Sequence, residues 1–202
     1  MATGTNKKAK IRTFVAFDIP DAVTASIHDI QNTLKARRFK VRWVRTDNLH
    51  LTLKFLGAVS VDRIDLIRQA LKRAVENIPP LALFARGLGV FPGVRRPRVI
   101  WVGINGDVET LMALQQAIDG NLATLGFALE KRSFKAHLTV GRVKGAINAQ
   151  QLQEVIQHYQ DYRSESFQVQ RIELIRSDLK PQGPEYTSLA TIALKESGGF
   201  HE

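Results

Sequence analysis

The sequence predicts an α+β fold in which two mainly antiparallel sheets face each other across a groove, with helices on the outside. Three observations predict it. Apolar and polar residues alternate in many short runs, which is typical of β-strands. Four other segments have the apolar spacing of amphipathic helices. Turns rich in Gly and Pro separate several strands, which favours antiparallel pairing, and outer helices give each sheet a layer to pack against.

The elements follow one another along the chain with recognisable starts and stops. Pro20 ends the first strand, and Asp21 is a favourable N-cap for the helix after it. Gly57 is predicted to release the chain into a loop, after which Ser60 or Asp62 caps the second helix. The predicted strands and extended segments are 11–18, 41–44, 49–56, 81–90, 98–104, 127–131, 136–142, 167–175 and 186–194, and the predicted helices are 22–38, 60–77, 108–125 and 148–159.

The composition excludes several classes of protein. Cysteine is absent from the 202 residues, so the chain has no disulfide framework, thiol nucleophile or thiolate metal site. The length suits one large domain or two small lobes. No apolar run approaches the length needed to span a membrane, and the N-terminus lacks the apolar block of a signal peptide. We therefore expect a cytoplasmic, monomeric enzyme.

Positive charge is concentrated in particular stretches of the chain. Lys and Arg number 29 against 19 Asp and Glu, which gives a net charge of +10. A basic surface attracts phosphate polyanions, although a solvated face that only favours solubility is the alternative. The basic groups adjoin two repeated motifs, which favours an RNA or nucleotide partner. These groups are Lys35, Arg37, Arg38, Lys40, Arg42 and Arg45; Arg95, Arg96 and Arg98; and Lys131, Arg132 and Lys135.

One sequence motif, His-Leu-Thr followed by an aliphatic residue, occurs twice, beginning at His50 and at His137. Both copies lie in predicted strands, where residues two apart point to the same side. His50 therefore shares a face with Thr52, and His137 shares a face with Thr139. Because each motif belongs to one of two similar halves of the chain, we infer that the two faces meet across one cleft.

Two imidazoles and two hydroxyls suit displacement at phosphorus. The pKa of histidine lies near neutrality, so one ring can act as a base while the other stays protonated as an acid. One imidazole deprotonates the attacking hydroxyl or water and the opposite one protonates the departing oxygen. In-line geometry requires them on opposite sides of the phosphorus, and hence on different strands. The hydroxyls of Thr52 and Thr139 can donate to the non-bridging oxygens.

Three further residues beside the motifs can be assigned from strand alternation. Arg142 can supply a fixed positive charge to a phosphate, but a regular strand places it on the face opposite His137. Its contact with the phosphate therefore requires a bend or bulge near Gly141. Phe55 falls on the core-facing side of its strand, which favours core packing over base stacking. Lys54 is expected either at the groove edge or in solvent.

Longer stretches around these motifs resemble a known family. The chain is similar to the two-histidine (2H) phosphoesterases, and among them to the RNA 2′,3′-cyclic phosphodiesterases also called 2′-5′ RNA ligases, of LigT or ThpR type. The resemblance runs in order over nearly the whole chain, from residue 11 to residue 194. The stretches that carry it are RTFVAFDIP, HLTLKFLG, GVFPGVRRPRVIWVGI, FKAHLTVGRVK and ELIRSDLKPQGPEYTSLATIAL.

The resemblance implies a fold, a reaction and a role for each histidine. The fold is a bilobal α+β unit, here assigned to residues 11–196, between a flexible basic tail (1–10) and a C-terminal tail (197–202). The reaction is hydrolysis of a 2′,3′-cyclic phosphate at an RNA or nucleotide end to a 2′-phosphomonoester. In the family the first histidine donates a proton and the second accepts one, so His50 is the expected acid and His137 the expected base. Running the reaction in reverse swaps these roles. Reaction of a 5′-hydroxyl with the cyclic phosphate gives the 2′-5′ ligation for which the family is also named.

No cofactor or metal is expected for this chemistry. The chain lacks a Walker-type phosphate loop, neither motif itself contains an Asp or Glu, and there is no His-x-x-x-His spacing. Two alternatives remain open. The same two histidines suit a phosphoesterase for another cyclic or 2′-5′ linked nucleotide. From a different class, a protein that binds RNA ends without turnover would keep the basic clusters but would not require both histidines.

Overall fold

The computed structural model describes residues 9–195 of the chain. The predicted tails therefore lie almost wholly outside the described residues, although Lys10 already belongs to the first strand. The strands are β1 (Lys10–Asp18), β2 (Val41–Trp43), β3 (His50–Ser60), β4 (Leu81–Phe91), β5 (Val99–Gly106), β6 (His137–Val143), β7 (Phe167–Val169), β8 (Arg171–Lys180) and β9 (Gly183–Ala193). The helices are α1 (Asp21–Ala36), α2 (Ile64–Ala74), α3 (Val108–Ala123) and α4 (Ala149–His158), with single 3₁₀ turns at Thr46–Asn48 and Val61–Arg63.

The strands form two antiparallel sheets, as predicted. Sheet A has four strands in the order β3-β1-β8-β9, and sheet B has five in the order β2-β6-β5-β4-β7. Sheet A therefore joins strands from both ends of the chain, whereas sheet B is built mostly from the middle. The first motif begins β3 in sheet A, and the second begins β6 in sheet B.

The helices pack on one face of each sheet and leave the other face free for the groove. In α1, the buried side-chain amide of Gln31 donates to the carbonyls of Val44 (2.8 Å) and Val140 (2.9 Å), which ties this helix to sheet B. Helix α3 packs on β3, α2 packs on α3 and β9, and α4 packs on β4. One continuous apolar core contains residues from both sheets and all four helices. On the opposite face of sheet A, Phe14, Ala16 and Ile175 form a separate small cluster.

A β-bulge in β3 overturns two expectations for the residues after the first motif. In the β1–β3 ladder Ala16 pairs with Thr52 and Val15 pairs with Lys54, so Leu53 is an additional residue. Alternation is inverted beyond it: Lys54 is 8% exposed and Phe55 is 65% exposed. The prediction of core packing for Phe55 was wrong, as was the prediction of a groove-edge or solvated Lys54.

Smaller differences concern where individual strands and helices begin and end. Gly57 does not end the strand, contrary to the prediction. It adopts a positive φ of 71° beside a second irregularity in the β1–β3 pairing, and β3 continues to Ser60. Asp21 is the first residue of α1, whose N-cap is Pro20 with no side-chain cap. Helix α2 begins at Ile64 after a 3₁₀ turn. The extended segment predicted at 127–131 joins no strand ladder, and the strand predicted at 167–175 is divided between β7 and β8.

The buried Lys54 is held by a network that reaches toward the second motif. Its ammonium pairs with Asp119 of α3 and donates to the carbonyl of Ala128 (2.8 Å). The other carboxylate oxygen of Asp119 accepts from the backbone N–H of Glu130 (2.9 Å). The network therefore ties the strand of the first motif to the segment that leads into β6.

We expect Asp119→Ala to lower the free energy of unfolding by about 3–5 kcal/mol, because it leaves the Lys54 ammonium buried without a counter-charge. Denaturant unfolding measures the change. Asp65→Ala is the matched control, since its pair with Arg68 is exposed and is worth about 0–1 kcal/mol. The double variant Lys54→Met/Asp119→Leu should recover much of the loss. Equal small effects at both aspartates would contradict this account.

Candidate active site

His50 is the first residue of β3 and lies on the groove face of sheet A. Its Nδ1–H donates to the carbonyl of Asn48 at 2.8 Å, which fixes the orientation of the ring. The ring lies against Phe14 (centroids 4.8 Å apart) and meets Tyr186 edge-on (5.2 Å). These neighbours come from β1 and β9, so the ring is half-buried in a setting built by strands remote in sequence.

His137 is the first residue of β6 and is held in the same way. Its Nδ1–H donates to the carbonyl of Lys135 at 2.6 Å. Phe91 meets the ring edge-on, with centroids 5.1 Å apart, and Trp101 lies at 6.3 Å. Both aromatic residues belong to sheet B, so each sheet surrounds its own motif histidine with aromatic side chains.

The shared backbone bond sets the chemistry of both rings. A carbonyl oxygen can only accept a hydrogen bond, so Nδ1 keeps its proton in each ring. Proton transfer to and from each ring therefore takes place at Nε2. In both motifs the accepting carbonyl lies two residues before the histidine, so the two halves of the chain repeat one geometry. Each imidazole can accept a proton when neutral and donate one when charged.

The threonines of the two motifs take the positions that strand alternation predicts. Thr52 and His50 pair with Ala16 and Asp18 of β1, two residues apart, and are half-buried. Thr139 is likewise two residues beyond His137 and half-buried. The leucine between each pair is fully buried in the core. Each hydroxyl therefore lies on the same face as the imidazole of its own motif.

Arg142 reaches the same face because β6 contains a bulge. In the β5–β6 ladder Ile100 pairs with Gly141 and Trp101 pairs with Thr139, so Val140 is an additional residue. This irregularity lies one residue before Gly141, the position that strand alternation indicated. Arg142 is exposed, and its charge acts on both His50 and Tyr186 of sheet A. Strands β3 and β6 also contact each other directly between the sheets.

The environment lowers the pKa of His50 below its ordinary value of 6.5. Burial is the largest cause, because it disfavours the charged ring, and the positive charge of Arg142 lowers the pKa further. The hydrogen bond to Asn48 opposes both effects. In the free protein, His50 therefore loses its proton at a lower pH than an exposed histidine does.

Removing the charge of Arg142 should raise the pKa of His50, while burial keeps part of the depression. We expect the His50 ring signals in an NMR titration to reach their midpoint at higher pH in Arg142→Gln than in the unmodified protein. The exposed ring of His158 is the internal reference. An unchanged His50 midpoint would show that Arg142 does not act on this ring.

Several aromatic residues of the site were not identified from the sequence. Phe14, Phe55 and Tyr186 form a cluster with His50, and Phe91 and Trp101 form another with His137. The alternation of FVAF in the first strand was a usable signal, since Phe14 and Ala16 share the groove face. The partners in β9 and β4 were not readable, because their register with distant strands is set by the whole fold.

The other described histidines lie outside this site. His28 and His158 are exposed on α1 and α4. Within residues 9–195, no group of three His, Cys, Asp or Glu side chains is placed to bind a metal ion. No helix in the same range is long and apolar enough to cross a membrane.

Both halves of the chain match one known family pattern. The pattern of the LigT-like phosphoesterase family matches residues 17–101 and, separately, residues 102–186. The chain belongs to this family. Each match contains one of the two histidine motifs, so this two-histidine phosphoesterase carries the family pattern once in each half. The two matched halves do not coincide with the two sheets, since sheet A combines β1 and β3 with β8 and β9.

Relatives and solved structures resemble the LigT-like chain over most of its length. It is 37% identical to an RNA 2′,3′-cyclic phosphodiesterase of Methanothermobacter thermautotrophicus over 92% of this chain and 100% of the relative. It is 34% identical to one of Thermotoga maritima over 89% of this chain and 93% of that protein. The fold is similar to TT0787 of Thermus thermophilus (TM-score 0.74, 26% identity, 91% of this chain and 98% of that one). It is also similar to E. coli LigT complexed with 3′-AMP (TM-score 0.70, 26% identity, 93% and 99%).

Proposed function

We propose that this LigT-like phosphoesterase hydrolyses 2′,3′-cyclic phosphate ends of RNA to 2′-phosphomonoesters, without metal or ATP. The observation that carries the proposal is the matched pair of imidazoles. His50 and His137 each donate Nδ1–H to a backbone carbonyl, which leaves Nε2 for proton transfer, and Arg142 lies near the first ring. The curated relatives named RNA 2′,3′-cyclic phosphodiesterase support the choice of substrate.

Each motif residue has one role in the hydrolysis. His137 takes a proton from water as the water oxygen bonds to phosphorus, and the P–O3′ bond breaks. The imidazolium of His50 gives its proton to the departing O3′, so the product carries a 2′-phosphate and a free 3′-hydroxyl. The hydroxyls of Thr52 and Thr139 donate to the non-bridging oxygens, whose negative charge Arg142 stabilises.

The lowered pKa of His50 bears on its role as the acid. In the free enzyme the ring of His50 loses its proton as pH rises through this lowered pKa. Because the acid must be protonated, kcat/KM should decline above that pH. A bound phosphate adds negative charge beside the ring and offsets the charge of Arg142. Substrate therefore favours the imidazolium at the moment it is needed. When a 5′-hydroxyl replaces water, His137 takes the proton of that hydroxyl and His50 again protonates the departing O3′, which gives 2′-5′ ligation; the roles swap only when the linkage is broken again to the cyclic phosphate.

We propose that Phe55 stacks on the base of the terminal nucleotide. It is 65% exposed on the same face as His50, and its ring lies 6.0 Å from that of Phe14, which itself contacts His50. Stacking of a base on an aromatic ring is worth about 1–3 kcal/mol. We expect Phe55→Ala to lower kcat/KM about five- to 160-fold and Phe55→Trp to retain activity. Steady-state kinetics test this, and the exposed Leu179→Ala is the control.

The decisive experiment uses an oligonucleotide ending in a 2′,3′-cyclic phosphate, incubated with the protein in excess chelator. We expect complete turnover and a 2′-phosphate as the product, identified by ³¹P NMR. Strict dependence on a divalent ion would refute the scheme. A 3′-phosphate product would show that O2′, and not O3′, is the leaving group. Salt-sensitive binding with no product after long incubation would instead identify a protein that only binds RNA ends.

We further propose that residues 11–196 form the catalytic unit and that it acts as a cytoplasmic monomer. Both motifs and their aromatic neighbours lie in one chain, and no second copy is required to complete the site. Size-exclusion chromatography with light scattering tests the oligomeric state, and turnover by a protein trimmed to 11–196 tests the boundaries.

A further inference from the structure

Basic side chains are paired across β2 and β6, beside the second motif. Arg42 and Arg142 face each other in the ladder between these strands. One step further, the backbone N–H of Lys144 donates to the carbonyl of Lys40 at 2.7 Å, so the pairing continues beyond the last ladder residue. All four side chains are exposed. We name Lys40, Arg42, Arg142 and Lys144 the basic quartet.

Alternation places the basic quartet on the groove side of sheet B. Val41, Trp43 and Val143 occupy the intervening positions and pack against the core. A Cβ at Gly141 would meet Val41 and Trp43 at 2.6 and 3.0 Å, so this residue also belongs to the core side. The basic residues therefore point the other way, and the charge of Arg142 at His50 identifies that side as the groove.

The basic quartet carries charge that the described protein leaves uncompensated. Salt bridges within residues 9–195 involve other cations, and none involves these four. Like charges directly opposite each other in a sheet are destabilising, so a basic pair at Arg42 and Arg142 is unfavourable for the fold alone. Lys40 also rests its aliphatic stem on Gly145. A polyanion in the groove would supply the missing counter-charge.

We propose that Lys40, Arg42 and Lys144 of the basic quartet bind the backbone phosphates of the RNA strand that precedes the cyclic phosphate, while Arg142 binds the cyclic phosphate itself. This proposal rests on the proposed function and assigns the residues that hold the RNA upstream of its reacting end. Arg142 serves the reacting phosphate, Arg42 is its cross-strand neighbour, and Lys40 and Lys144 lie one step further from His137. Cations two residues apart on a strand are separated by about 7 Å. The RNA therefore leaves the site along the paired ends of β2 and β6, with its phosphates on this row.

The test compares two substrates in a variant that leaves Arg142 intact. In Lys40→Gln/Arg42→Gln/Lys144→Gln, we expect kcat/KM for a tetranucleotide 2′,3′-cyclic phosphate to fall about tenfold at low salt. The value for a mononucleotide 2′,3′-cyclic phosphate should change by less than about twofold, because no upstream phosphate is present. The slope of log kcat/KM against log salt for the tetranucleotide should weaken by about 2, since each phosphate that is no longer neutralised reduces it by about 0.7.

A second variant, with cations removed far from the groove, is the control. Lys72→Gln/Arg73→Gln removes two exposed cations from α2, on the outer helical layer, and should leave both substrates unaffected. Circular dichroism confirms that the variants fold. Equal losses for both substrates, or tetranucleotide kinetics and a salt slope unchanged in the triple variant, would overturn the proposal.

Failure of the proposed function is recognised separately. If the unmodified protein turns over neither substrate, the hydrolase assignment is wrong, and the basic quartet is then tested by binding alone. Fluorescence anisotropy of a labelled tetranucleotide with a 3′-terminal phosphate measures affinity at several salt concentrations. Weaker binding and a smaller salt slope in the triple variant would support the surface, and identical binding would refute it.

Discussion

His50→Ala and His137→Ala are each expected to lower kcat on a cyclic-phosphate substrate about 10²–10⁴-fold. Each ring supplies one proton transfer, and each is oriented by a hydrogen bond from Nδ1–H to a backbone carbonyl. The substitutions remove half-buried rings at strand starts, so the fold should survive. Stopped or discontinuous assays on a mononucleotide cyclic phosphate give the rates, and circular dichroism checks the fold.

The remaining described histidines provide the matched controls for this experiment. His28→Ala and His158→Ala alter exposed rings on α1 and α4 and should leave turnover nearly unchanged. The double variant His50→Ala/His137→Ala should be little worse than either single one, because the two rings act as a unit. Damage confined to the His28 or His158 variant would show that the motif histidines are not the reacting groups.

Arg142→Gln is expected to lower kcat/KM about 10²–10³-fold, because it removes a fixed charge from the oxygens that become most negative. Arg142→Lys should restore only part of the rate, since an ammonium lacks the two-pronged geometry of guanidinium. The loss should be similar for mononucleotide and oligonucleotide substrates. Steady-state kinetics on both measure it, with the fold checked by thermal unfolding.

The neighbouring arginine separates this effect from a general loss of charge. Arg42→Gln removes the same charge from the residue opposite Arg142, yet should leave mononucleotide turnover near that of the unmodified enzyme. Near-normal kinetics in Arg142→Gln would mean that another group stabilises the phosphate. If Arg42→Gln lowered mononucleotide turnover as much as Arg142→Gln does, Arg42 would belong to the catalytic site and not to the surface that binds the upstream RNA.

The sequence was sufficient to place both histidines on strands and to predict two antiparallel sheets. A period of two is a local property, so His50 shares a face with Thr52 as expected. Alternation fails wherever one additional residue enters a ladder. The bulge at Val140 could be anticipated, because Arg142 could not otherwise reach the groove. The bulge at Leu53 had no such signal, so Lys54 and Phe55 were assigned to the wrong sides.

Other parts of the site depend on contacts that no local pattern encodes. Tyr186 meets His50 only because β9 lies in the same sheet as β3, and Asp119 pairs with Lys54 across two layers. The bonds from the imidazoles to Asn48 and Lys135 span two residues but depend on backbone geometry that composition does not specify. Register between distant strands is decided by the packing of the whole core.

The membership of sheet A has a consequence for biosynthesis. β1 lies between β3 and β8, so the edge of β1 that pairs with β8 stays unpaired until β8 has emerged from the ribosome. Tyr186, which flanks His50, is also made at that late stage. Chains released early therefore lack the complete surroundings of His50. They also expose the unpaired edge of β1, and exposed strand edges are prone to aggregation. The surroundings of His50 are complete only after β8 and β9 have been made.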